Sequence, residues 1–118
     1  MTKRKIYNLT IKNGGLTLSK RLKVVDFSSG YQVSKRYYET KCKITFKDFK
    51  KFLKVYRKIL KQYKNSYIGL WVDNDTLYFD ISNYYAFLNA ALIFGFVNNQ
   101  KAIFDWSTNE SIYLLKDW

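Results

Sequence analysis

Histidine and proline are absent from the 118 residues, cysteine and methionine occur once each, and glycine only five times. Without histidine there is no Ser-His-Asp or Cys-His triad, and with Cys42 alone there is no disulfide and no zinc site of thiolates and imidazoles. Acids are scarce too: nine Asp and Glu stand against 21 Lys and Arg, a formal net charge of +12. The longest apolar run, Tyr84 to Val97, is broken by Asn89 and Gly95 and is too short to span a bilayer. No apolar stretch or small-residue cleavage site follows the basic start Met1-Thr-Lys-Arg-Lys. The expectation is a reduced, cytoplasmic protein with no membrane partner, no catalytic residue, no metal and no cofactor. Cys42 is expected to be a small core residue.

What is abundant is apolar and cationic. At 47% hydrophobic residues the chain has enough material for one core, and its length fits one domain, residues 1–118. Lysine, asparagine, isoleucine, tyrosine and phenylalanine are residues of A- and T-rich codons, so bulk charge alone says little about function. Its distribution says more. Residues 1–64 hold 19 cations and three acids, a net +16, whereas residues 65–118 hold two cations and six acids, a net −4. The reading is one domain with a basic half and an acidic half.

The periodicity predicts an α+β fold, a mostly antiparallel sheet with two helices at about 46–64 and 84–97. Tyr7, Leu9 and Ile11 alternate as in a strand ahead of the turn signal Asn13-Gly14-Gly15. Leu16 and Leu18 follow it. Val25 with Phe27 mark a further strand, Ser28-Ser29-Gly30 turns the chain, and Tyr31 with Val33 return it. Tyr38, Thr40, Cys42 and Ile44 then alternate against Tyr37, Glu39, Lys41 and Lys43. In the second half, Tyr67–Val72 and Thr76–Ile81 flank the hairpin turn Asp73-Asn74-Asp75. Ser82 is expected to cap the second helix, and 102–106 with 111–115 to form a last hairpin.

The first helix carries the strongest pattern. Thr45 suits an N-cap, with Asp48 three residues on. Phe46, Phe49, Phe52, Leu53, Tyr56, Ile59, Leu60 and Tyr63 share one side. Lys47, Lys50, Lys51, Lys54, Arg57, Lys58, Lys61 and Lys64 share the other, with no acid among them. Like charges at i,i+3 and i,i+4 cost about 0.2–0.5 kcal/mol per pair, and an anionic partner reverses that cost. These eight cations are the candidate binding residues, for nucleic acid or an acidic protein surface. Lysine rather than arginine points to phosphate contacts without base reading. Tyr37 and Tyr38, beside Lys35 and Arg36, are candidates for base stacking.

Two weaker constellations involve acids. Asp26 ahead of Glu39-Thr40-Lys41 has the order of a nuclease centre, in which acids hold Mg²⁺ and lysine orients water. Asp73-Asn74-Asp75 with Asp80 is rich in oxygen ligands, but it lacks the glycine and final glutamate of an EF-hand and reads as a turn. Trp71, Tyr78, Trp106, Tyr113 and Trp118 belong to a set of 23 aromatics, more than one small core needs. Those left outside it are candidates for a binding patch or for a homodimer through an aromatic strand face.

Several stretches carry a resemblance: Asn13-Gly-Gly-Leu-Thr-Leu, Gly30-Tyr-Gln-Val-Ser, Gly69-Leu-Trp-Val-Asp, Phe79-Asp-Ile-Ser, Asn99-Gln-Lys-Ala-Ile-Phe-Asp-Trp and Ser111-Ile-Tyr. Together they resemble small accessory proteins carried by phages, plasmids and integrated elements of Gram-positive bacteria. Some proteins of such elements are anti-CRISPR inhibitors of the type II effector nuclease. The resemblance therefore implies a counter-defence inhibitor whose partner is the host effector ribonucleoprotein. The alternative is a phage or plasmid nucleic-acid-binding accessory protein. The matching stretches are turns and strands, and the basic helix lies outside them.

Overall fold

The computed structural model describes residues 1–35 and 38–114. Three helices and seven strands follow one another as α1 (Lys3–Asn13), β1 (Gly15–Leu18), β2 (Tyr31–Ser34), β3 (Thr40–Lys43), α2 (Phe46–Leu60), β4 (Ser66–Asp73), β5 (Thr76–Tyr85), α3 (Leu88–Val97), β6 (Ala102–Asp105) and β7 (Glu110–Tyr113). The strands form one antiparallel sheet in the order β1-β4-β5-β2-β6-β7. β3 pairs with the first part of β5, and β2 with its last four residues, Ser82–Tyr85. The α+β class and the antiparallel sheet are as expected. The basic and acidic halves are interleaved, since β1 and β2 lie between or beside strands of the second half.

The largest departure is α1. Tyr7, Leu9 and Ile11 alternate, yet Ile6 and Thr10 are the buried residues, and their spacing of four is helical. The ends decide it. The Thr2 hydroxyl accepts from the Lys5 backbone N–H at 3.1 Å, and Gly14 closes the helix at φ 76°. Asn13-Gly14-Gly15 is thus a helix stop rather than a hairpin turn. Val25 and Phe27 form no strand either. That segment keeps a single bridge, Leu18 with Val24, and a Val25 N–H bond to the Thr17 carbonyl oxygen.

α2 begins where expected, with the Asp48 backbone N–H donating to the Thr45 hydroxyl at 3.2 Å. It ends at Leu60, four residues short of the predicted 64. Gln62 and Tyr63 donate to Ile59 and Leu60 in a tightening turn, and Asn65 then takes a positive φ of 54°. α3 starts at Leu88 rather than 84, because β5 continues through Tyr85 to satisfy β2. Ser82 is no cap. It lies buried in β5, accepting from the Gln32 side-chain amide at 2.6 Å. The hairpin at 74–75 and that at 106–109 both turn on an asparagine at positive φ, Asn74 and Asn109. The expected strand end at Leu115 lies outside the described residues, as do Arg36, Tyr37 and Trp118.

All three helices pack on one side of the sheet. Phe49, Leu53, Tyr56 and Leu60 of α2 join Ile6 of α1 against Leu18, Ile68, Leu70, Leu77, Phe79 and Ile81. A smaller cluster sets Ala91 of α3 on Val33, Ile103 and Leu114. Gly95 allows that approach, since a Cβ there would meet Leu114 at 2.7 Å. Cys42 is half-buried against the main cluster, and burial with the nearby Asp48 charge pushes its thiol up to about 11. Such a thiol is no nucleophile. Among the described residues, the opposite side of the sheet carries no helix.

Candidate functional site

Two surfaces follow from this layering. On the helical side, the inward stripe of α2 fixes its outward one. Lys47, Lys50, Lys51, Lys54, Arg57 and Lys58 all project from the helix and are exposed. Lys61 caps its end, and Lys64 stands in the following turn, both also exposed. Among the described residues, none of the eight enters an ion pair within 4.0 Å. The sole acid of α2 is Asp48 in the first turn, where it complements the helix dipole.

The face is wider than the eight residues found by periodicity. Arg4 of α1 sits 3.9 Å over the ring of Phe46, and Lys50 lies 4.7 Å from the same ring. At the other end, Lys64 departs from the helical stripe and lines a small depression with Lys20 and Arg21. These additions escaped the sequence because 1–13 read as a strand, which hides how Arg4 faces α2. Tyr38 is not a stacking platform. Its hydroxyl meets that of Tyr63, its carbonyl oxygen accepts from Tyr56 at 2.9 Å, and its ring packs on the core.

On the helix-free side lies a groove of about 1210 Å³. Register decides what lines it. Gly15, Thr17, Gly69, Trp71, Tyr78, Asp80, Gln32, Ser34, Lys41 and Phe104 alternate with the core residues of their strands and so share this face. Trp71 and Tyr78, opposite each other on β4 and β5, stack with ring centres 4.0 Å apart. Three strands across and six residues further along the sheet, roughly 20–25 Å from Trp71, Phe104 meets Trp106 edge-on at 5.2 Å. Between these aromatic pairs runs a polar floor. Trp106 Nε1 and the Thr17 hydroxyl both donate to Gln32 Oε1, at 3.1 and 3.2 Å, and Gln32 passes the chain on to Ser82.

Asp80 is the anomaly of this floor. It is only 7% exposed, and its Oδ1 has no hydrogen-bond partner among the described residues. Gly69 opposite makes room for it, since a Cβ at that position would lie 2.3 Å from Oδ1. Burial, reinforced by the charge of Glu39, pushes the Asp80 carboxyl up to about 6, against the opposing pull of hydrogen bonds from Ser34 and the Gly69 backbone.

Asp26, Glu39 and Lys41, singled out in sequence, all line this groove. Lys41 faces Tyr78 and Thr40 faces Phe79, so Glu39 approaches Asp80 on the continuing ladder. Among the described residues no three His, Cys, Asp or Glu are placed to hold a metal ion together, Asp73, Asp75 and Asp80 included. Trp71, Tyr78, Trp106 and Tyr113 are all groove residues rather than core. The sequence did offer a sign of Asp80: a lone acid inside the apolar run Tyr78-Phe79-Asp80-Ile81, in a strand opposite a glycine.

Among the described residues no helix is long and apolar enough to cross a membrane. No family model, curated protein or solved structure matches the chain.

Proposed function

We propose that the protein acts by binding rather than by catalysis, and that it docks on a polyanionic partner through the outer face of α2. The supporting observation is a row of exposed cations from Lys47 to Lys61 with no ion pair among the described residues to quench it. Such a row costs repulsion in the free protein and regains it against phosphates. In the setting that the resemblance implies, the partner is a type II CRISPR effector ribonucleoprotein and the protein is its inhibitor in the bacterial cytoplasm. Occlusion needs affinity and no chemistry, which fits a chain without histidine and with an inert thiol. The second reading, a nucleic-acid-binding accessory protein, uses the same face and draws support from its lysine-rich, sequence-blind character.

Replacing Lys50, Lys54, Arg57 and Lys61 together by Glu tests the face. The expected result is loss of inhibition of DNA cleavage by the purified effector, by 100-fold or more in inhibitor concentration, about 3 kcal/mol. Full inhibition by that variant overturns the docking face. Gel shifts separate the two readings: duplex binding without any effector favours the accessory protein, and inhibition without free-DNA binding favours the inhibitor.

A further inference from the structure

The groove on the open side of the sheet is built differently from α2 and asks for a different ligand. Its charges balance, with Lys35, Lys41 and Lys101 against Asp26, Glu39 and Asp80. Phosphate neutralisation, which dominates duplex binding and shares in single-strand binding, has little to work with there, so affinity must come from the bases. What the groove offers is flat rings and a hydrogen-bond acceptor. Trp71 is 38% exposed, with one face on Tyr78, and its β1 neighbour Gly15 brings no side chain. A planar ring can therefore lie beside it unobstructed.

The acceptor is Asp80, 93% buried in the floor and short of one donor at Oδ1. A buried carboxylate oxygen without a partner costs stability, and the group that relieves it must carry N–H or O–H donors, which base amino groups supply. The volume also speaks to the ligand: about 1210 Å³ exceeds the roughly 300–1,000 Å³ of ordinary small-molecule pockets. Two aromatic stations roughly 20–25 Å apart suit several linked rings better than one.

We propose that this face is a second binding site, which takes unpaired bases of single-stranded nucleic acid by stacking on Trp71 and by base amino groups donating to Asp80. Exposed aromatics on an open sheet face are a general means of holding single strands, because every base has a π-face. Cytosine presents an amino donor where thymine presents the acceptor O4, so a carboxylate favours the former. Duplexes are excluded, since their base faces are stacked and their pairing edges occupied. The site lies across the sheet from α2 and does not depend on it.

The test is fluorescence anisotropy of labelled 12-nucleotide oligo(dC) and oligo(dT) at about 0.3 M salt, where α2 contributes least. The wild-type protein is expected to bind oligo(dC) more tightly than oligo(dT). Trp71→Ala should weaken binding about 5- to 100-fold, and Trp71→Phe should retain most of it. Asp80→Asn should remove the dC preference, while the fourfold Glu variant of α2, although weaker overall, should keep it. Near-ultraviolet circular dichroism checks that each variant is folded. Absence of binding by the wild-type protein, or equal binding by Trp71→Ala, overturns the proposal. Equal affinity for dC and dT overturns the role of Asp80, and a mononucleotide binding as tightly as the 12-mer overturns the single-strand assignment. A dimer that Trp71→Ala dissociates, with no strand bound, assigns the face to a second copy of the chain.

Discussion

The two sides of the sheet solve opposite problems. The helical side is crowded with exposed lysine, so what it offers a partner is field. The open side is concave, balanced in charge and floored with hydrogen-bonding groups, so what it offers is shape. The sheet that separates them also couples their construction. β5 sends Leu77, Phe79 and Ile81 to the α2 core and Tyr78, Asp80 and Ser82 to the groove, by strict alternation. Net charge alone cannot reveal such a division. A value of +12 describes a surface whose cations are concentrated around one helix, with a charge-balanced groove behind it.

Charge reversal breaks this contrast with the largest expected effect. The fourfold Glu variant should lose 100-fold or more on the polyanionic partner yet keep its preference for oligo(dC) over oligo(dT) at high salt. An equal loss on both ligands would mean that one surface serves both.

Asp80→Asn sharpens the contrast from the other side and changes stability. The Asp80 carboxyl is held at about 6 in the fold, against an ordinary value of 3.8. The native state therefore keeps a proton that the unfolded chain releases between those pH values. The stability this provides is intact below about pH 3.8 and lost as pH rises through about 6. At pH 7.5 the ionised group is a cost of about 2–3 kcal/mol, bounded by the size of the shift. Asn keeps the shape without the charge, so urea unfolding at pH 7.5 should show a gain of that order, fading towards pH 4. A loss of stability at pH 7.5 would show that the carboxylate is satisfied in the native state. A stabilising substitution that removes a binding preference is the signature of a residue kept for function.

Thr45→Ala is the smallest of these changes. It removes the hydroxyl that accepts from Asp48 N–H and should cost about 1 kcal/mol in urea unfolding. Because the cap is remote from the groove, single-strand binding should not change.

How much of this was legible in the sequence depended on whether the signal was local. α2 announced itself because Phe49, Leu53, Tyr56 and Leu60 repeat at helical spacing behind a capping threonine, and the lysines had only the other side to occupy. α1 was misread because Tyr7, Leu9 and Ile11 obey the strand period while Ile6 and Thr10 obey the helical one. Only the caps at Thr2 and Gly14 arbitrate. The start of α3 depended on β2 pairing with Tyr84 and Tyr85, a contact more than 50 residues away in sequence. The groove depended on such pairings throughout. Asp26, Glu39 and Lys41, grouped in the sequence by the order of a nuclease centre, line the groove, but no spacing rule links Glu39 to Asp80. That neighbourhood exists only once β3 is laid against β5. Asp80 itself looked like part of an acidic turn until Gly69 was found opposite it.

The central claim, that the α2 lysines meet phosphate, is tested most directly by the salt dependence of binding to the nucleic-acid or nucleoprotein partner. If six of the eight cations neutralise phosphates, the logarithm of the duplex association constant should fall against the logarithm of salt with a slope of about −5. The fourfold Glu variant should flatten that slope towards zero. A wild-type slope near zero, or one that the variant leaves unchanged, would contradict the account.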